Sequence, residues 1–561
     1  MRRAGDRLGL RHYDGDVSNA PDFEAVVGVP VPERVPVVVR AGTRLDDLWA
    51  RIMVTAARRR WWNVGAPMAV LVIAAILRLW NLGHPDAIVF DETFYVKDAW
   101  SQWHLGYPAT WPSDSQVDVW FAQGTVNDYT TTASFVVHPP LGKWLIGLPM
   151  VIFGAENSWA WRLGPAIAGI LGVGLLMVAI KKLMRSTLLV VLGGLLFAIE
   201  GNAIVMSRVG LLDNFVMLFA LAGFVCILYD RSFSERRLSA WMAARAASGR
   251  SVTWGPALWW RPWLIAAGAA FGLATAVKWN GLYFLAVFAV YTVLSDVLAR
   301  RRAGIPFFVA GTLLKQGPTT FVLMLPIALA AYMSTWITWF TTKGGYDRTW
   351  ADDPTNQWTG AFSWVPHSIQ SFFHFERDVY IYNIGESRPH PYQANPLTWL
   401  LDVRPTSMYY QSSTFGQNGC TAASCGESIT GLANPLIWWA ATAACVYLVY
   451  RLIRYREWRV GLILTGMLAG YVPWLQYTGR TVFQFYTIAF EPYMLLALVF
   501  VLGLRLGSKR DATERRRAGL ITVGVFLALA IALSVFFWPL WTGQQLPYEL
   551  LRLRWWFPTW V

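Results

Sequence analysis

The chain has 561 residues, 55% of them hydrophobic and only 15% charged, with a net charge of +14. Soluble domains average roughly 25% charged residues, and the apolar residues here come in long blocks, so disorder, a fibrous repeat and a soluble enzyme are all excluded. The 32 Trp and 22 Tyr suit a membrane–water interface, where an apolar ring with one polar atom is at home.

Residues 1–62 read as a cytoplasmic tail with an amphipathic helix and no cleavable signal pattern. Hydropathy then predicts eleven membrane spans, at about 64–81, 160–180, 187–205, 212–229, 262–277, 282–298, 317–338, 434–450, 460–477, 483–504 and 519–540. Arg/Lys clusters flank these blocks, among them Arg58 to Arg60, Lys181, Lys182, Arg236, Arg237, Arg300 to Arg302, Arg451 and Arg515 to Arg517. A cytoplasmic N-terminus places every cluster inside and the C-terminus outside, the positive-inside pattern, so the charge marks topology and not nucleic-acid binding. The fold class expected is an all-α polytopic membrane protein. Residues 63–339 form a first membrane module, 340–433 a large outer loop, and 434–561 a second membrane module. Residues 230–261, with six Arg among small residues and Trp, read as a cytoplasmic interfacial helix. Residues 141–154 are apolar but short, and read as a helix on the outer interface.

The first outer loop, 82–140, opens with FDETFYVKDAW. Asp91 and Glu92 are adjacent carboxylates at a helix start near the membrane surface. A dry site there suits a general base, and the alternative is Asp91 as a helix N-cap. The loop ends in HPPLGKW, where His138 and two prolines lead into a helix whose Lys143 would snorkel to the interface. In SRVGLLDNF, Arg208 and Asp213 flank an outer turn; they pair with each other, or Asp213 orients a sugar or the first-loop helix. Lys278, in AVKWNGLYF, and Arg480, beside Tyr486, stand at the outer ends of two spans. Two cations there suit a lipid-linked phosphate, and each alone would be an ordinary interface anchor.

The second outer loop, 340–433, crowds His390, Tyr392, Asn395, Trp399 and Arg404 into HPYQANPLTWLLDVRP, a mixture used by carbohydrate or peptide sites and also by a folded lid. Cys420 and Cys425 lie close together there and suit a local disulfide if the loop is outside; Cys226 and Cys445 lie in apolar blocks as core residues. The sequence has no P-loop, no HExxH and no zinc spacing, so a nucleotide-bound donor is not expected. No internal repeat is apparent, and the notable charges sit at span ends, which disfavours a transporter.

Together FDETFYVKDAW, HPPLGKW, SRVGLLDNF, AVKWNGLYF and HPYQANPLTWL resemble the protein O-mannosyltransferases of actinobacteria, within the GT-C class of polyprenyl-phosphate-sugar glycosyltransferases. The resemblance runs from about residue 60 to 561. It implies a polyprenyl-phosphate-mannose donor in the plasma membrane. It also implies a Ser/Thr acceptor on a polypeptide leaving through the secretion machinery, and an inverting transfer at the outer face. It gives catalysis to the Asp91–Glu92 pair and places Arg208 and Asp213 near the site. No cofactor or metal is required, although some relatives use a divalent cation. The 340–433 segment is too short for the β-trefoil of eukaryotic relatives. The nearest alternative within this class is transfer to a lipid or glycan acceptor.

Overall fold

The computed structural model describes residues 41–561; the rest of the expected N-terminal tail lies outside the described residues. The first helix among the described residues is Arg44–Ile52, started by a Thr43/Asp46 capping box. It exposes Leu45, Leu48 and Ile52 along one side, the amphipathic pattern expected.

A helix lies in each of the eleven stretches expected to span. Among the described residues, seven helices are long and apolar enough to cross a bilayer: Ala56–Leu79, Ser158–Met184, Asp213–Ala247, Gly281–Arg302, Phe308–Ser334, Pro435–Tyr455 and Thr513–Thr542. This is a multi-pass membrane protein. Three stretches depart from the expected bounds for local reasons. The 187–205 stretch breaks after Thr187–Ala198, where Glu200 accepts from the Ala203 and Asn434 amides and starts a new short helix, Gly201–Met206. The 483–504 stretch becomes helical only at Glu491, with Pro492 in the first turn, so Tyr486 sits in a preceding tight turn. The Asp213–Ala247 helix runs for 35 residues, about 50 Å, so much of the expected interfacial segment is its continuation.

Leu141–Phe153 has 13 residues, about 20 Å, too short to cross. It packs against the Glu92–Leu105 and Ser158–Met184 helices, and Lys143 is buried, not snorkelling to the interface as expected. The all-α expectation also needs correction. Ser407–Thr414 and Ser424–Thr430 form an antiparallel hairpin joined by Leu546–Pro547 into a three-stranded sheet. The Cys420–Cys425 disulfide lies at the hairpin turn.

Contacts sort the loops into two ends of the bundle. At one end Asp46 pairs with Arg516 at 3.0 Å, Arg261 with both Asp230 and Asp296, and Arg231 lies over Trp458. At the other end Phe90 meets His390 and Phe483, and the Ala394 amide donates to the Val482 carbonyl. There too Arg404 reaches the carbonyls of Thr559 and Val561. The two long outer segments therefore share an end with each other and with the C-terminal residues, opposite the arginine clusters.

Candidate active site

The adjacent carboxylates of the first outer loop point in different directions, as neighbours about 100° apart on a helix must. Glu92 is fully buried. Its Oε1 accepts from Arg162 Nε at 2.9 Å and the Gly210 amide at 2.7 Å; its Oε2 accepts from Arg162 Nη2 and the Val89 amide, each at 3.0 Å. Arg162 also donates to the carbonyls of Pro85 and Ala87. Glu92 thus ties the 85–92 turn to the second span and to the 208–213 turn, with both oxygens occupied. Gly210 packs closely there: a Cβ would stand 3.1 Å from Val96 and 3.3 Å from the Glu92 carboxylate, so a larger residue would have to push these side chains aside.

Asp91 is different. It occupies the N-cap position of the Glu92–Leu105 helix, but its side chain makes no capping hydrogen bond. The capping reading therefore fails, and the carboxylate is left for other work. Burial pushes its pKa up to about 6, with Lys278 pulling it down and Asp213 pushing it up. A general base is most effective when its pKa lies near the working pH.

Arg208 and Asp213, expected as partners, go elsewhere. Arg208 donates to the carbonyls of Arg78, Trp80 and Asn81 at the end of the first span, where helix-end carbonyls need partners from outside the helix. Asp213 holds Lys278, whose Nζ lies 3.0 and 3.2 Å from its two oxygens and 3.9 Å from the centre of the Tyr486 ring. Arg480 donates Nη2 to Asn383 at 2.8 Å, and its buried Nε has no partner among the described residues.

His138, Lys278, Arg480 and Tyr486 line one end of a cavity of about 1060 Å³. The cavity continues along the Gly281–Arg302 and Phe308–Ser334 helices beneath the His367–Gly385 helix, where Leu282, Phe321 and Leu329 line it and are also exposed on the bundle's flank. It is thus cationic at the end next to the 82–140 loop and apolar along the spans. His138 is held well below the usual imidazole pKa by burial and by Lys278, Lys143 and Arg480, so it is neutral at pH 7. Sequence reading missed Glu376, which lines the same cavity and accepts from the Tyr332 hydroxyl at 2.7 Å. The only signal was a carboxylate set among Phe372, Phe373 and Tyr380 on one helix.

The remaining candidates are spread out. His390 lies edge-on to Phe90, next to Asp91 in sequence, with ring centres 5.9 Å apart. Tyr392 lies under Arg404, and Asn395 caps the Pro396–Leu401 turn through the Leu397 amide, so these two belong to the scaffold of the outer loop. Asp347, His374 and Asp378 bring their ligand atoms within 4.8 Å of one another, but none of the three lines the cavity.

Comparison with known proteins covers most of the chain. Residues 68–340 match the family described as dolichyl-phosphate-mannose-protein mannosyltransferase. Residues 368–560 match the C-terminal four TMM region of protein-O-mannosyltransferase. The polyprenol-phosphate-mannose–protein mannosyltransferase of Mycolicibacterium smegmatis strain MKD8 is 31% identical over 478 residues, 84% of this chain and 87% of that one. Its counterpart in Mycobacterium tuberculosis H37Rv is 32% identical over 433 residues, 76% and 81% of the two chains. The Saccharomyces cerevisiae protein O-mannosyltransferase Pmt1–Pmt2 complex, solved with its sugar donor, shares the fold with a TM-score of 0.65 at 14% identity, covering 95% of this chain and 97% of that one. With both family regions matched in order and nearly a third of its residues shared with these relatives over most of its length, the chain belongs to the protein O-mannosyltransferase family.

Proposed function

We propose that the protein transfers mannose from a polyprenyl-phosphate-mannose lipid to Ser/Thr hydroxyls of polypeptides at the outer face of the plasma membrane. The observation that carries this reading is Asp91: a carboxylate that makes no capping bond, lifted by burial to a pKa of about 6 and within the electrostatic reach of Lys278, which itself lines a cavity that is cationic at one end and apolar along its flank. The cavity suits a lipid-linked phosphate lying with its prenyl chain against the spans.

In this mechanism Asp91 takes the proton of the acceptor hydroxyl as that oxygen attacks the sugar's anomeric carbon. The bond from that carbon to the phosphate oxygen breaks, the phosphate leaves with the electron pair, and the configuration inverts. Arg480 meets the phosphate with its unpartnered Nε, and neutral His138 offers an N–H on the same wall. Lys278, neutralised by Asp213, sets the field around Asp91. A departing phosphate monoester needs charge stabilisation more than a proton, and the Arg480 guanidinium supplies a positive charge for it without a metal. Turnover is expected to be unchanged after EDTA treatment; loss restored by Mg²⁺ or Mn²⁺ would refute that.

Arg480→Gln is expected to weaken donor binding by about 1.5–3 kcal/mol, roughly 10- to 150-fold, as for a lost hydrogen bond to a charged group. Titration with the donor checks this, and wild-type affinity would remove Arg480 from the phosphate site. Topology is tested by an impermeant thiol reagent on intact cells: Thr355→Cys should label and Arg245→Cys should not, and the reverse would invert the assignment. The deciding assay is incorporation of labelled mannose from the lipid donor into a Ser/Thr peptide by purified protein. Transfer to a lipid or glycan but not to the peptide would redirect the acceptor class.

A further inference from the structure

Lys143 is 1% exposed. Burying an ammonium is costly, and an aliphatic side chain would serve packing against two helices equally well. The group must therefore hold something. Its Nζ donates to the His138 carbonyl at 3.0 Å and stands 4.0 Å from Asp98 Oδ2. Burial raises the Asp98 carboxyl to about 6 with Lys143 as the main opposing influence, so the pair is ionised at pH 7. Gln102, one helical turn beyond Asp98, donates Nε2 to the Pro140 carbonyl at 3.2 Å. The Glu92–Leu105 helix thus grips the His138–Pro139–Pro140 turn at both ends, directly through Gln102 and by way of the Asp98–Lys143 pair. Two prolines fix φ and remove the backbone N–H at 139 and 140, so the turn is held through its carbonyls, with the Trp144 amide also donating to Pro140 and Asn383 to the neighbouring Val137. The His138 side chain lines the donor cavity together with Lys278 and Arg480.

We infer that Lys143, held by Asp98, is a positioning residue that sets the His138 imidazole against the anionic headgroup of the lipid donor. The helix that begins at Asp91 thereby fixes both the base and a phosphate-side donor, so the two are registered to each other through one rigid element. This inference rests on the proposed placing of His138 at the phosphate end.

A double-mutant cycle on purified full-length protein tests it, with donor KM and kcat measured for wild type, His138→Ala, Lys143→Met and the double variant. Each single change is expected to raise donor KM roughly tenfold. The double variant should be no worse than His138→Ala, and Lys143→Arg should recover most of the loss. Multiplying effects would overturn the inference while leaving His138 in place. Unchanged KM in His138→Ala would overturn the placing of His138 and the inference with it, and wild-type KM in folded Lys143→Met would overturn the inference alone. Should Lys143→Met fail to accumulate, Asp98→Asn takes its place in the cycle, with coupling again expected and independence again decisive against it.

Discussion

Asp91→Asn should lose roughly 10²–10⁴ in turnover while donor affinity stays within a few-fold of wild type. Asn keeps the shape of Asp and caps helices about as well, and no capping bond exists here to lose. The change therefore removes basicity and little else. The pH profile gives a second handle. The base works only when ionised, and burial lifts its pKa to about 6. In wild type, kcat/KM should fall as pH drops through about 6 and level off above 7, with the residual activity of Asp91→Asn lacking that limb. Near-normal turnover in the variant would end the role.

Glu92→Gln should act on stability first. It breaks one side of a fully buried ion pair and leaves the Arg162 guanidinium without its counter-charge, a loss of about 3–5 kcal/mol. The amide nitrogen would also face either the Gly210 or the Val89 amide, placing donor against donor. A lower melting temperature and lower yield are expected, with the acid limb unmoved in whatever protein folds. Wild-type melting with turnover lost and donor binding kept would move the catalytic role from Asp91 to Glu92.

These two residues show how far the sequence could be read. The pair itself was legible, because two adjacent carboxylates at the outer end of a span stand out and only one can face a substrate. Which one does so depends on Arg162, seventy positions on, and no local pattern indicates that partner. The same holds for Arg208 and Asp213. Their closeness in sequence suggested a pair, but span-end carbonyls and Lys278, reached only through folding, took them instead. Lys143 looked like a snorkelling lysine because the Leu141–Phe153 helix is apolar all round, and its burial comes from helices on either side. Hydropathy located a helix in every expected stretch, seven of them long enough to cross a bilayer, and missed the breaks where Glu200 and Pro492 reset a helix start. The outer hairpin was not, since its third strand lies over a hundred residues downstream.

That third strand has a consequence for biogenesis. Leu546–Pro547 follows the Thr513–Thr542 helix, and the carbonyls that Arg404 grips belong to residues 559 and 561. Synthesis is vectorial, so the hairpin leaves the ribosome long before its edge partner, and the sheet can close only after the last helix has threaded the bilayer. The sheet thus closes last: a chain that stops short of residue 546 keeps an unpaired edge on the Ser424–Thr430 strand and leaves Arg404 without its C-terminal carbonyls.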